Sequence, residues 1–297
     1  MAEAKASEVI NSGLYQLITS RYGVEASKPG VPFMDQFKDG NANRNQGNTE
    51  ALWVWQWQQN VLGGGMNIMR RYWVNRYYNN RGIAVTVDNG GRGIGRLSPT
   101  TWSLSIYEPT DDRGSYHAVR KFYLYNDPAN LPTGKQLGDT LKMRTTALER
   151  MSDALWPSTR KWDWADPLNP NIDEQYNDQP YVRLADTYLL LAEAQFKQDN
   201  LDGAAATLNI VRARANATPI TAAVVTLDFI LDERSRELLN EENRRETLVR
   251  THTVLARVKA HNGLAGPVIV ARDTIFPIPQ SVIDANTGQP MEQNPGY

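Results

Sequence analysis

No cysteine occurs in the 297 residues, which excludes disulfides, thiolate nucleophiles and cysteine-held metal, and leaves the redox compartment open. Histidine is nearly as scarce: the three, at 117, 252 and 261, lack the H-x-x-x-H or H-E-x-x-H spacing that holds zinc. Net charge is almost absent too. With 32 Lys plus Arg against 33 Asp plus Glu, a balance of −1, the chain has no global field to draw in a polyanion, and no nucleic-acid partner is expected. No apolar run reaches the roughly 18 residues that a membrane span needs. The opening MAEAKASEVINSG carries no hydrophobic region of an export signal.

Glycine (21), proline (16), tryptophan (8) and tyrosine (13) are plentiful, and together they imply long irregular segments. Every Trp precedes residue 181. The chain therefore divides into a loop-rich aromatic region, 1–180, with an N-terminal helix and short strands, and a helical core with an extended Pro-rich tail, 181–297. The two are expected to form one compact unit.

The helical part is organised around residues 181–215, which read as two helices joined by a polar turn at Asp199-Asn200. Ala185, Tyr188/Leu189, Ala192 and Phe196 form one apolar stripe, and Ala205, Leu208 and Val211 a second. Small alanines let the axes approach closely, and such a pair needs further helices to cover its outer faces. Residues 226–240 predict a third helix with Thr226 as N-cap, and 246–261 a fourth, stopped by Asn262-Gly263. The alternating charges from Asp232 to Arg250 read as solvated i, i+4 pairs. The tail, 274–297, with Pro277, Pro279, Pro290 and Pro295, reads as extended and held by Ile275, Phe276, Ile278 and Ile283.

Toward the N-terminus, 2–19 predicts a helix that ends or bends at Asn11-Ser12-Gly13. Residues 51–59 alternate as a strand with Trp53, Trp55 and Trp57 on one face. Met66 to Asn80 is a second aromatic cluster in which Arg70, Arg71 and Arg76 are placed to stack on rings. Residues 86–100 read as a mobile loop leading into a short helix at 100–107, 116–125 as a weak strand, and 131–180 as turn-rich, anchored at Lys161-Trp162-Asp163-Trp164.

Five segments in order resemble the C-terminal part of the SusD/RagB family of outer-membrane glycan-binding lipoproteins: Tyr181-Val-Arg-Leu-Ala-Asp-Thr-Tyr-Leu-Leu-Leu-Ala-Glu-Ala194, Leu208-Asn-Ile-Val-Arg-Ala-Arg214, Leu231-Asp-Glu-Arg-Ser-Arg-Glu-Leu238, Phe276-Pro-Ile-Pro-Gln280 with Ile283-Asp-Ala-Asn286, and Gln293-Asn-Pro-Gly-Tyr297. The resemblance implies a mainly α fold of repeat-like, TPR-like helix pairs carrying a large loop-rich region with short strands. It also implies capture of an oligosaccharide at the cell surface without catalysis, and delivery to a TonB-dependent outer-membrane transporter. Family members usually have a long N-terminal helical half with a signal peptide and a lipidated cysteine, so this chain is expected to be roughly the C-terminal half of a longer protein. Arg245 and Glu246 stand where the family commonly has an aromatic pair.

A glycan site needs flat aromatic faces edged by hydrogen-bonding groups. Tyr72, Trp73, Arg76, Tyr77 and Tyr78 are the preferred candidates, with Trp102 and Tyr107 closing the same concavity. Trp53, Trp55 and Trp57 read mainly as a buried strand face, and Trp162 and Trp164 as packing against the helices. Asp39, Asn41, Asn43, Asn45 and Glu50 reproduce the oxygen spacing of a calcium loop, but Arg44 replaces its glycine and a strand follows, so a plain polar loop is the stronger reading; no other cofactor is expected. Gly91-x-Gly93-x-Gly95 lacks the residues of a phosphate loop. The alternatives are a protein-interaction scaffold that binds no sugar and, more remotely, a glycoside hydrolase using Asp111/Asp112, Asp163 or Asp173/Glu174.

Overall fold

The computed structural model describes residues 1–146 and 153–297, so the part of the turn-rich stretch at 147–152 lies outside the described residues. The chain opens with α1 (Ala2–Ile10), which stops at Asn11 as the Asn-Ser-Gly run predicts. The aromatic region carries three short helices, α2 (Pro32–Asp35), α3 (Met69–Trp73) and α4 (Thr101–Ser105). It also holds three two-stranded antiparallel sheets: β1 (Ala51–Trp55) with β6 (Gln179–Arg183), β2 (Val119–Arg120) with β5 (Ser158–Thr159), and β3 (Phe122–Leu124) with β4 (Thr140–Lys142).

The organising pair is α5 (Leu184–Phe196) and α6 (Leu201–Arg214). Residues 181–183, predicted helical, belong instead to β6, where they pair with β1. Asp199 adopts a left-handed φ of 58°, and Asn200 accepts from the Gly203 amide to start α6. A turn this short makes the two helices antiparallel neighbours. Leu189 and Ala192 meet Ala204, Ala205 and Leu208 in a core that Val225, Ile230 and Leu238 complete.

Helix α7 (Leu227–Glu237) begins at Thr226, whose hydroxyl accepts from the Phe229 amide. The predicted fourth helix is two: α8 (Arg244–Arg250) and α9 (Val254–His261). His252 turns left-handed at φ 57°, and the Thr251 hydroxyl donates back to the Thr247 carbonyl, closing α8. The tail is extended except for α10 (Gln280–Ala285). Side chains brace it more than apolar packing does. Gln293 both accepts from the Ile278 amide and donates to its carbonyl, Asn294 donates to the Phe276 carbonyl, and Arg245 lies 3.9 Å over the Phe276 ring.

Of the charges of α7, Glu233, Arg234 and Glu237 are buried, contrary to the reading of 232–250 as surface pairs, whereas Asp228 is exposed. Glu233 and Glu237, one turn apart, are fully buried and accept from Arg113, 2.7 and 3.2 Å away. Arg212 of α6 reaches Glu233 at 2.7 Å, and Arg214 bridges Glu237 to Glu50. Arg183 of β6 bonds Glu50, Glu237 and Glu241 together, and Asp111 clamps Arg113 through both oxygens. Lys161 donates to the Glu237 and Leu239 carbonyls and to Glu241, and Arg214 and Lys161 each lie 4.9 Å over the Phe33 ring. Burial pulls the Lys161 ammonium down to about 8 against the attraction of Glu241.

This lattice joins the nominal halves, because its carboxylates and guanidiniums come from residues 50, 111 and 113 as well as from 183–241. Removing one member strands the others in a low-dielectric interior, at a cost of about 3–5 kcal/mol. Glu237→Ala is therefore expected to lower unfolding free energy by about that amount in a urea titration, whereas Glu8→Ala, on the exposed face of α1, should leave it nearly unchanged.

Burial alone would raise the carboxyls of Glu233 and Glu237, but the surrounding arginines outweigh it and hold both below the ordinary 4.5. A depressed folded-state value means stability that is fully present above 4.5 and lost as pH falls below it. Melting temperature should accordingly drop on acidification below pH 4.5, and drop less steeply in Glu237→Gln.

Candidate functional site

Loop 86–100 is pinned, which corrects its reading as mobile. Arg70 of α3 is buried with no carboxylate partner among the described residues and instead donates to the carbonyls of Gly90, Arg92 and Ile172, at 3.0, 3.0 and 2.8 Å. Burial lowers this guanidinium to about 10. A Cβ on Gly91 would lie 2.3 Å from the Arg70 Nη1, and one on Gly93 2.2 Å from the Val74 carbonyl oxygen. These glycines admit close approach of backbone and not motion. Among the described residues, Arg92 is the one arginine over a ring of the 66–80 cluster, 5.8 Å from Tyr78, while Arg71 pairs with Asp173 and Glu174, and Arg76 with Asp153.

Beyond Gly95 the loop turns over α3, the Leu97 amide donating 2.8 Å to the Tyr72 carbonyl. It delivers Ser98, Pro99 and Thr100 to a cleft of about 320 Å3. Thr100 caps α4 by accepting from the Ser103 amide, which sets Trp102 in the same cleft. Trp73 lines it from α3, and Leu238, Leu248 and Val258 form its floor with the helical core. Asn240, Glu242, Arg244, Arg257, His261 and Asn262 add hydrogen-bonding groups. Trp102 stacks on His261 at 4.1 Å and 20°, with Arg257 5.2 Å over the indole. Arg257 is fixed in turn by Asp228, 2.7 Å away, and by Asp232. Burial first, then Arg257, pulls the His261 imidazole below its ordinary 6.5, so the ring is neutral at pH 7.

Of the seven candidates from sequence, Trp73 and Trp102 meet in this cleft. Tyr72 is 37% exposed but lies outside its lining. Arg76 is half-exposed and turned to Asp153. Tyr77 has no exposed face: its ring stacks on Tyr123 at 4.2 Å, its hydroxyl donates to the Gly91 carbonyl, and burial raises its phenol pKa. Tyr78 donates to the Gly93 carbonyl, and Tyr107 packs against Gly114 and donates to the Arg236 carbonyl. Tyr77 is thus closed to a ligand, and Tyr78 and Tyr107, half-buried, lie outside the lining of this cleft. Arg257 and His261, spaced i, i+4 on α9, were missed because histidine was weighed only as a metal ligand.

The strand tryptophans also depart from expectation. Trp53 is 56% exposed, and Trp55 stacks on Tyr181 at 4.0 Å, with Trp57 beside it. Trp162 is buried as predicted, whereas Trp164 donates to Asp39 at the rim of a polar cavity. The calcium-loop spacing gives diverging side chains: Asn41 accepts from the Val24 amide, Asn43 bonds Asp178 and Gln56, and Glu50 enters the arginine lattice. Among the described residues no group of three or more His, Asp or Glu is placed to hold a metal ion. The hydrolase candidates are engaged as well, Asp163 by Arg120 and Arg160, Asp173 and Glu174 by Arg71, Asp111 by Arg113 and Asp112 by Asn216.

Paired helices that carry a clamped aromatic loop region make this a TPR-like helical scaffold with a cleft where the two meet. The SusD family model matches residues 33–297, and the chain belongs to that family. Among solved structures, surface glycan-binding protein A from Bacteroides thetaiotaomicron superimposes with a TM-score of 0.71 at 20% identity, over 99% of this chain and 58% of that one. A structure of the protein of that name in complex with laminarihexaose gives 0.69 at 20% identity, over 98% and 58%. Surface glycan-binding protein A from Bacteroides fluxus gives 0.66 at 19%, over 99% and 57%. The chain thus spans less than three fifths of the length of these relatives. A search of curated protein sequences found no match.

The Trp102–His261 stack makes a spectroscopic prediction. Protonation of His261 should quench Trp102 with a midpoint below pH 6.5, and the difference in tryptophan emission between the wild type and His261→Gln should show that titration. A difference that stays flat from pH 7 down to the onset of acid unfolding would mean that the rings do not stack.

Proposed function

We propose that the chain captures a neutral oligosaccharide in the Trp73–Trp102 cleft, without chemical change, at the outer-membrane surface, and hands it to a TonB-dependent transporter. The observation that carries this reading is the meeting, in one cleft, of two tryptophans from separate segments, bordered by Asn, Glu, Arg and His side chains. Indole faces match the C–H faces of sugar rings, and the border matches their hydroxyls. Family membership and the laminarihexaose complex of a relative support the ligand class. Capture without catalysis is supported by Asp111, Asp163, Asp173 and Glu174, each occupied by an arginine where a hydrolase needs a free acid and base.

A second reading, a protein-interaction scaffold, draws on the exposed apolar side chains near the C-terminus, with Val268 at 72% and Phe276 at 68%. A glycan microarray followed by calorimetry separates the two. Trp102→Ala should weaken the best-bound oligosaccharide at least tenfold, the loss of one buried aromatic anchor, with near-UV dichroism outside the lost indole unchanged. Absence of binding to any glycan would favour the scaffold.

A further inference from the structure

A second surface pairs aromatic faces with hydrogen-bonding groups, beside the 238–243 turn that also borders the cleft. On β1 and β6, Trp53 meets Tyr181 edge-on at 5.1 Å, and Trp55 stacks beneath Tyr181. The result is a ridge with Tyr181 47% and Trp53 56% exposed. Tyr181 also forms the rim of a cavity of about 420 Å3, walled by Asp186, Arg234, Glu242, Asn243 and Arg250. Leu238 and Glu242 line both this cavity and the cleft.

The wall holds an unspent donor. The Arg234 side chain is only 4% exposed, its Nε donates 2.7 Å to Glu242 and its Nη2 lies 2.8 Å from Asp186, while its Nη1 and the Asp186 Oδ1 make no hydrogen bond among the described residues. A buried N–H without an acceptor is costly and calls for a ligand oxygen. The carboxylates of Asp186 and Glu242 flank that donor, and with Glu241 and Glu246 in the same wall the guanidiniums of Arg183, Arg234 and Arg250 are fully balanced, so the cavity offers an anionic ligand no net attraction. A hydroxyl suits both neighbours, because it accepts from Nη1 while donating to a carboxylate. A ring bearing adjacent hydroxyls, with one apolar face for Tyr181, satisfies the aromatic and the polar parts together.

We propose that the Trp53–Tyr181 ridge and the Arg234 cavity form a second subsite for a neutral saccharide, adjoining the first across Leu238 and Glu242. The ligand class rests on the reading above that the protein binds glycans; the location does not. An oligosaccharide able to reach both subsites gains from each, whereas a disaccharide occupies one.

The test uses the intact protein with laminarihexaose, cellohexaose, maltohexaose and xylohexaose, titrated by calorimetry against the wild type, Tyr181→Ala, Trp53→Ala and Trp102→Ala. Both ridge substitutions sit at exposed positions, and unchanged melting temperatures establish that the variants fold. The expected result, for the hexasaccharide that binds best, is at least a fivefold loss of affinity in Tyr181→Ala beside the tenfold or greater loss in Trp102→Ala. Acrylamide quenching of Trp53, read as the difference from Trp53→Phe, should fall on saturation. If Trp102→Ala abolishes binding while Tyr181→Ala stays within twofold, the second subsite is wrong and the cleft stands. Loss in Tyr181→Ala alone overturns the cleft and retains the ridge. Binding of no hexasaccharide, or a Trp53 fully shielded before sugar is added, overturns the subsite outright.

Discussion

The fold depends on charge compensation in its interior. Four guanidiniums, of Arg113, Arg183, Arg212 and Arg214, face the carboxylates of Glu50, Asp111, Glu233 and Glu237 where water is excluded. Such a cluster adds little net free energy over an apolar core, because desolvation cancels much of the Coulomb attraction. Its value lies in geometry. Each arginine has a fork of donors that only one arrangement of β1, β6, α6 and α7 satisfies, so a shift of any element by one residue leaves a charge unpaired.

That constraint reaches the cleft through α7. The helix presents Glu233 and Glu237 to the lattice, and its continuation supplies Leu238, Asn240 and Glu242 to the cleft, with Leu238 and Glu242 facing the Tyr181 cavity as well. Loop 86–100 is held independently by Arg70, so two unrelated anchors fix the opposite walls that Trp73 and Trp102 share with α8 and α9.

The α5–α6 pair was legible because apolar spacing at three and four residues has one interpretation in a chain of this composition. The lattice was not. Glu233, Glu237 and the neighbouring arginines repeat at i, i+4 whether the face is wet or dry, and their partners at 50, 113 and 183 are invisible to local periodicity. Tyr72 and Tyr77 look alike in sequence, yet only the path of loop 86–100 decides that one faces out and the other is roofed by Gly91. Alternation of Trp53, Trp55 and Trp57 established a common face but not its surroundings, since a two-stranded ribbon has no second layer to dictate which side is covered. The left-handed His252 hid the break between α8 and α9, and with it the angle that brings His261 onto Trp102. The family segments fared better, since Arg183, Arg214, Glu233 and Glu237, all within them, are lattice members.

The clamp of Arg70 on three main-chain carbonyls bears on how a guest is received. A wall already immobilised in the free protein has almost no backbone freedom left to surrender on association, so contact energy is not consumed in ordering it. Encounter then proceeds without waiting for closure of this wall. On the proposed reading, discrimination between sugars rests on fit to this wall, whose backbone is already held at Gly90, Arg92 and Ile172.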